Sequence, residues 1–131
     1  MVLSVSTKTI KAQQLPALDI GDISELNGNA EIVRDKPYTA ELEFAIQQND
    51  QAVTKDGRLA IKFLDNSQVK LTEYSELVID EYIFNPDPSK SKMALKFTLG
   101  TARFITGTFN KIDKQNIKLS TPTANIAIRG T

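Results

Sequence analysis

The sequence predicts an all-β domain, and three observations predict it. Valine, isoleucine and threonine supply 31 of the 131 residues, and these β-branched side chains pack well on a pleated surface. Apolar and polar residues alternate in short runs. Polar turn signals separate those runs at intervals of about eight to twelve residues, the spacing of sandwiches, barrels and rolls. A chain of this length makes one domain with a real core.

The elements follow in order. Residues 1–19 carry the weakest periodicity and are interrupted by Pro16, so they read as an arm or lead-in segment. The domain itself is expected over 20–131. Ile20 and Ile23 open it, and Asn27-Gly28 predicts a hairpin turn because both residues tolerate positive φ. Ala30, Ile32 and Arg34 leave that turn with alternating polarity, and Asp35-Lys36-Pro37 ends the strand. Leu42, Phe44 and Ile46 share one face if their segment is a strand, although a short helix fits as well. Gln47 to Gln51 predicts a turn, and Asp56-Gly57 another.

Beyond Gly57 the alternation sharpens. Leu59, Ile61 and Phe63 point one way while Arg58, Ala60 and Lys62 point the other. Asp65-Asn66-Ser67 turns the chain into Val69 and Leu71, and a further run holds Leu77, Ile79 and Phe84. Asn85 to Lys92, with Pro86 and Pro88, is a loop. Met93, Leu95, Phe97 and Leu99 form the next inward face, ended by Gly100. Ala102 to Phe109, Ile117 to Leu119 and Ile126 to Ile128 supply the last strands. No strict repeat demands a solenoid, but the short spacing permits one.

Composition limits the chemistry. Sixteen basic residues balance sixteen acidic ones, and histidine, cysteine and tryptophan are absent. That removes histidine general bases, thiolate nucleophiles, thiolate metal sites and disulfides. Neutral charge balance gives no support for nucleic-acid binding. No run of apolar residues reaches the length of a membrane helix, so no direct membrane insertion is expected. No secretory leader pattern opens the chain.

The ending Thr121-Pro122-Thr123-Ala124-Asn125-Ile126-Ala127-Ile128-Arg129-Gly130-Thr131 resembles the C-terminal signature of the FecR domain family. The match falls on Thr121, Pro122, Ala124, Ala127, Arg129, Gly130 and Thr131. Gly21 to Gly28 resembles the family's opening strand, Asp56-Gly57-Arg58 through Asp65-Asn66-Ser67 its central hairpin, and Leu95 to Gly100 the step before its last strands. The resemblance implies an all-β FecR-like roll or a β-helix-like stack of short strands. It marks Gly28, Gly57, Asp65, Gly100, Thr121, Pro122, Arg129, Gly130 and Thr131 as a structural signature. Family members commonly continue past this point, so the domain is expected to lack its final strand, with the missing piece on another subunit or a companion C-terminal fragment.

Arg129 is expected to clamp backbone carbonyls or a carboxylate through its five-donor fork. Gly130 is expected to supply an unusual dihedral, and Pro122 to fix an edge or turn. Asp65, Asp80, Glu81 and Asp87 read as solvated strand ends or turns; a glycosidase pair across a cleft, or calcium held by Asp65-Asn66 or Asp87, is the sharper alternative. Lys90, Lys92 and Lys96 read as a solvated face unless they converge with Lys111, Lys114 and Lys118. Tyr74, Tyr82, Phe84, Phe104 and Phe109 read as packing; joint exposure of Tyr82, Ile83 and Phe84 would point to a partner.

The expected function is a non-enzymatic structural or protein-interaction module without catalytic residues, metal or cofactor. FecR-like proteins include transmembrane signal transducers that couple an outer-membrane iron-transport receptor to a sigma factor, and related domains in bacteriophage virion proteins. Without a membrane helix, a virion or tail component assembled as an oligomer is the first expectation. A periplasmic or extracellular sensor or ligand-binding domain is the alternative.

Overall fold

The computed structural model describes residues 18–107, 113–121 and 125–129. Ten strands join one hydrogen-bonded sheet. They are β1 (Asp19–Val33), β2 (Pro37–Thr39), β3 (Ala45–Gln47), β4 (Gln51–Phe63), β5 (Gln68–Leu71), β6 (Glu76–Ile83), β7 (Lys92–Leu99), β8 (Thr101–Ile105), β9 (Ile117–Ser120) and β10 (Asn125–Arg129). The domain is all-β, as the alternation predicts.

The two long strands organise the rest. β1 and β4 pair antiparallel from Gly21↔Phe63 to Val33↔Gln51, with register shifts at Ile23/Glu25 and Gly28/Ala30. Gly28 pairs with Gly57 at the second shift. There Gly28 has φ +83°, and a Cβ on Gly57 would meet the backbone of Asn29 and lie 2.7 Å from the Asn27 carbonyl oxygen. Bulges bend and twist a strand, and two facing glycines let both strands bend at one level.

On one side of this level, β1 and β4 are flanked by β2, β6, β7 and β9; on the other, by β3, β5, β8 and β10. The sheet thus forms two layers hinged on β1 and β4. Both layers contribute to one core, with Leu77, Ile79, Leu95 and Phe97 from the first and Ile61, Val69 and Phe104 from the second. Phe63 of one layer stacks on Tyr82 of the other at 4.9 Å.

The last strands add a different geometry. β9 runs parallel to β7 and β10 runs parallel to β8. Met93 pairs with Ile117 and Thr101 with Asn125, the same step of 24 residues in both ladders. One step shared by two layers is a coil of a β-helix. The roll and the stack therefore occur together, the antiparallel roll first and the coil after it.

Several expectations are corrected. Asn27-Gly28 and Asp56-Gly57 are not turns; both lie inside long strands and face each other. Leu42 is 60 % exposed in a turn where Glu43 takes φ 68°, and the strand begins only at Ala45. Leu99 is 48 % exposed, because the register shift beside Glu76 and Leu77 breaks the alternation of β7 at its end. Ala60 shares the outer row with Glu25 and Lys70 yet is buried. Lys70 Nζ reaches across it to Glu25 at 3.4 Å.

Candidate functional site

Arg34, immediately after β1, forms the shortest ion pair among the described residues. Its Nε and one terminal nitrogen donate to the two oxygens of Asp50 at 2.7 Å each, and that same nitrogen donates to the Ala45 carbonyl at 3.0 Å. Gln47 N–H donates to Asp50 at 2.8 Å. The guanidinium also lies over the rings of Tyr38 (5.6 Å) and Phe44 (5.4 Å). Hydrogen bonding to Asp50 raises the Arg34 pKa above its ordinary value, outweighing the opposing effect of burial. This bidentate clamp joins β1 to the connection between β3 and β4. The sequence gives no local sign of this pair, because Arg34 and Asp50 stand sixteen positions apart; the nearby Tyr38 and Phe44 are the available hint.

Asp65 is the centre of a second cluster. It is buried in the turn after β4, and its Oδ1 accepts from Tyr82 Oη at 2.7 Å and Ser67 Oγ at 2.6 Å. Asp65 N–H donates back to the Tyr82 oxygen at 3.1 Å. Burial, reinforced by Asp65, pushes the Tyr82 phenol far above its ordinary value. The expectation of a solvated turn at Asp65 is therefore corrected: the carboxylate ties the layers together through Tyr82. A third cluster holds Ser75, whose N–H donates to Thr54 Oγ1 at 2.8 Å and whose hydroxyl exchanges hydrogen bonds with the Thr101 backbone at 3.1 and 3.2 Å. Gly100 lies beside it at φ +87°.

These clusters are structural. Among the described residues no buried side-chain nitrogen or oxygen lacks a partner. No group of three metal-ligating side chains occurs among the described residues. With no histidine or cysteine in the sequence, neither imidazole nor thiolate chemistry is available to these clusters.

A groove of about 700 Å³ lies on the outer face of β1, β4, β5 and β8. Ala60 and backbone around Leu59, Leu71 and Ala102 form its floor; Glu25, Arg58, Lys70 and Arg103 form its walls. Lys70 pairs with Glu25 at 3.4 Å and Arg58 with Glu73 at 3.4 Å. Arg103 is exposed and forms no ion pair with any described residue.

The aromatic residues divide. Tyr82 and Phe104 are buried and Phe84 half-buried, so Tyr82, Ile83 and Phe84 form no joint exposed patch. Tyr74 corrects the packing expectation. It is 64 % exposed, at φ 54°. Lys96 and Lys118 occupy exposed positions on neighbouring β7 and β9. Arg129 lies on β10, paired with Ile105; its side chain, Pro122, Gly130 and Thr131, as well as Phe109 and Lys111, lie outside the described residues.

Comparison with known families finds one model, FecR protein, matching residues 50–131. That is more than half of the chain, and begins later than the resemblance read from Gly21. β1, β2 and β3 precede the match, so Arg34 lies outside it while Asp50 is its first residue. No curated protein matches the chain, and no solved structure does. Among the described residues no helix is long and apolar enough to cross a membrane.

Proposed function

The chain belongs to the FecR family, and on that premise we propose that it is the protein-interaction and sensor module of an extracytoplasmic signalling protein. The observation that carries this reading is the asymmetry of its sheet edges. On one side the sheet ends in β2 and β3, each of three residues, with Pro37 in β2. Short edges and proline discourage strand addition. On the other side, β9 and β10 end the two layers, and no further described strand pairs with either. Half-buried Ile117 and Leu119 pack on the core from that edge. Such an edge offers main-chain hydrogen bonds to a strand from a receptor, another subunit or a companion segment. The proposed domain spans 20–131, completed by that added strand, and the signature residues from Gly28 to Thr131 act structurally within it.

A virion or tail component would use the same edge, but nothing on this surface favours that setting over the periplasmic or extracellular one. Fractionation of the native host tests the reading together with transcription after deletion of the gene. The expected result is a chain outside the cytoplasm whose loss changes sigma-factor-dependent transcription. A cytoplasmic chain whose loss leaves transcription unchanged would overturn it.

A further inference from the structure

We propose that the groove across β1, β4, β5 and β8 binds an extended, acidic segment of a partner protein. The inference rests on the interaction-module reading and adds a second contact surface with defined chemistry. Three features support it.

The first is charge. Arg58, Lys70 and Arg103 line the groove against one carboxylate, Glu25. Two of the cations already hold exposed carboxylates, at Glu73 and Glu25, through single contacts of 3.4 Å. Such pairs are weak and exchange easily for an incoming carboxylate. Arg103 has no carboxylate partner among the described residues and keeps its planar fork for a bidentate contact.

The second is shape. Ala60 sits between Glu25 and Lys70, whose ion pair crosses above it at 3.4 Å, so the hollow over this small side chain opens when an incoming carboxylate takes Lys70 from Glu25. Four adjacent strands span about 14 Å. An extended chain advances about 3.3 Å per residue, so the groove accepts about four residues, enough for two carboxylates on one face.

The third is the rim. The turn after β5 begins at groove-lining Thr72, passes through Glu73 and reaches Tyr74. Tyr74 holds a left-handed backbone that bulky residues rarely adopt, while its ring stays 64 % exposed. Its N–H donates to the Lys55 carbonyl at 3.0 Å, which fixes the turn against β4. Tyr74 follows Glu73, the partner of Arg58, and exposed tyrosine is enriched among interface anchors.

The test is amide NMR on the full chain, titrated with a hexapeptide of alternating threonine and glutamate. The same peptide with glutamine, and free glutamate at equal carboxylate concentration, are run beside it. The expected result is movement of the Arg58, Lys70, Thr72 and Arg103 amides with the acidic peptide. Arg103→Glu weakens binding about fivefold or more, and raised salt weakens it further. Lys96→Glu, on the other layer, leaves it unchanged. Absence of groove shifts, equal binding of the glutamine peptide, equal shifts with free glutamate, or indifference to Arg103→Glu would each overturn the proposal. An extracytoplasmic chain that alters transcription but fails this titration loses the groove and keeps the module; groove binding by a cytoplasmic chain without that effect does the reverse.

Discussion

Cutting the Arg34–Asp50 clamp from either side should give unequal losses, and cutting both should restore most of the stability. Asp50 is 1 % exposed and Arg34 28 % exposed. Asp50→Ala leaves a guanidinium that reaches water and keeps the Ala45 carbonyl and two aromatic rings. The loss then falls at the low end for a broken buried pair, about 3 kcal/mol. Over 131 residues that lowers Tm by about 10 °C. Arg34→Met instead strands a buried carboxylate that keeps the Gln47 N–H as its donor, and should cost about 4–5 kcal/mol. The double variant Arg34→Met/Asp50→Leu removes both charges and fills the space. It should return to within about 2 kcal/mol of the parent, the residue being the unpaired Gln47 N–H. Urea unfolding of the parent, Arg34→Met, Asp50→Leu and the double variant closes the cycle, with Asp50→Ala measured beside them. Additive single losses, or an Asp50→Ala protein within about 0.5 kcal/mol of the parent, would refute the reasoning.

Three other outcomes are expected. Gly57→Ala drives a Cβ into the Asn27 and Asn29 backbone, and should lower stability by about 3 kcal/mol or more, read by thermal unfolding; a loss below about 1 kcal/mol contradicts the facing-glycine bend. Tyr82→Phe removes the phenol from the Asp65 cluster and should cost about 2 kcal/mol near neutral pH, checked by urea titration. The Tyr82 pKa is raised on folding, so its contribution is complete below the ordinary value of 10.0 and declines as pH rises above it, because only the unfolded chain releases the proton there. Stability should fall between pH 10 and 11 by up to about 1.4 kcal/mol from this group, and Tyr82→Phe should flatten that fall. Phe104→Ala should cost about 3–5 kcal/mol through a core cavity, visible as a lower urea midpoint.

What the sequence disclosed was local. Leu59, Ile61 and Phe63 alternate over a stretch long enough to define a face, and they are buried as read. The same holds for Val69 and Leu71, and for Met93, Leu95 and Phe97. Long-range facts were hidden. Asn27-Gly28 has the chemistry of a hairpin turn, but here its positive φ serves a bulge opposite Gly57, and only the pairing of β1 with β4 distinguishes the two uses. Arg34 carries no local sign of its partner; chain reversal through β2 and β3 delivers Asp50 to it. The groove was equally unreadable, since Glu25, Arg58, Lys70 and Arg103 come from four strands and meet only in the assembled face. The coil had no sequence repeat to announce it. Its step of 24 residues is kept by backbone pairing, while the side chains in Met93↔Ile117 and Leu95↔Leu119 share little beyond being apolar.

The central claim is that β9 continues the sheet from β7 and leaves its own outer edge free for a partner strand. Residue-resolved amide hydrogen exchange on the isolated chain tests it most directly. In a parallel ladder, alternate residues of an edge strand turn their N–H groups toward the neighbour and the others away. The account predicts alternating protection along Ile117–Ser120, beside uniformly slow exchange for the sheet-bonded amides of β4 and β6. Uniform protection along β9 would mean that its edge is already covered, and uniform fast exchange that it does not join the sheet; either result would contradict the account.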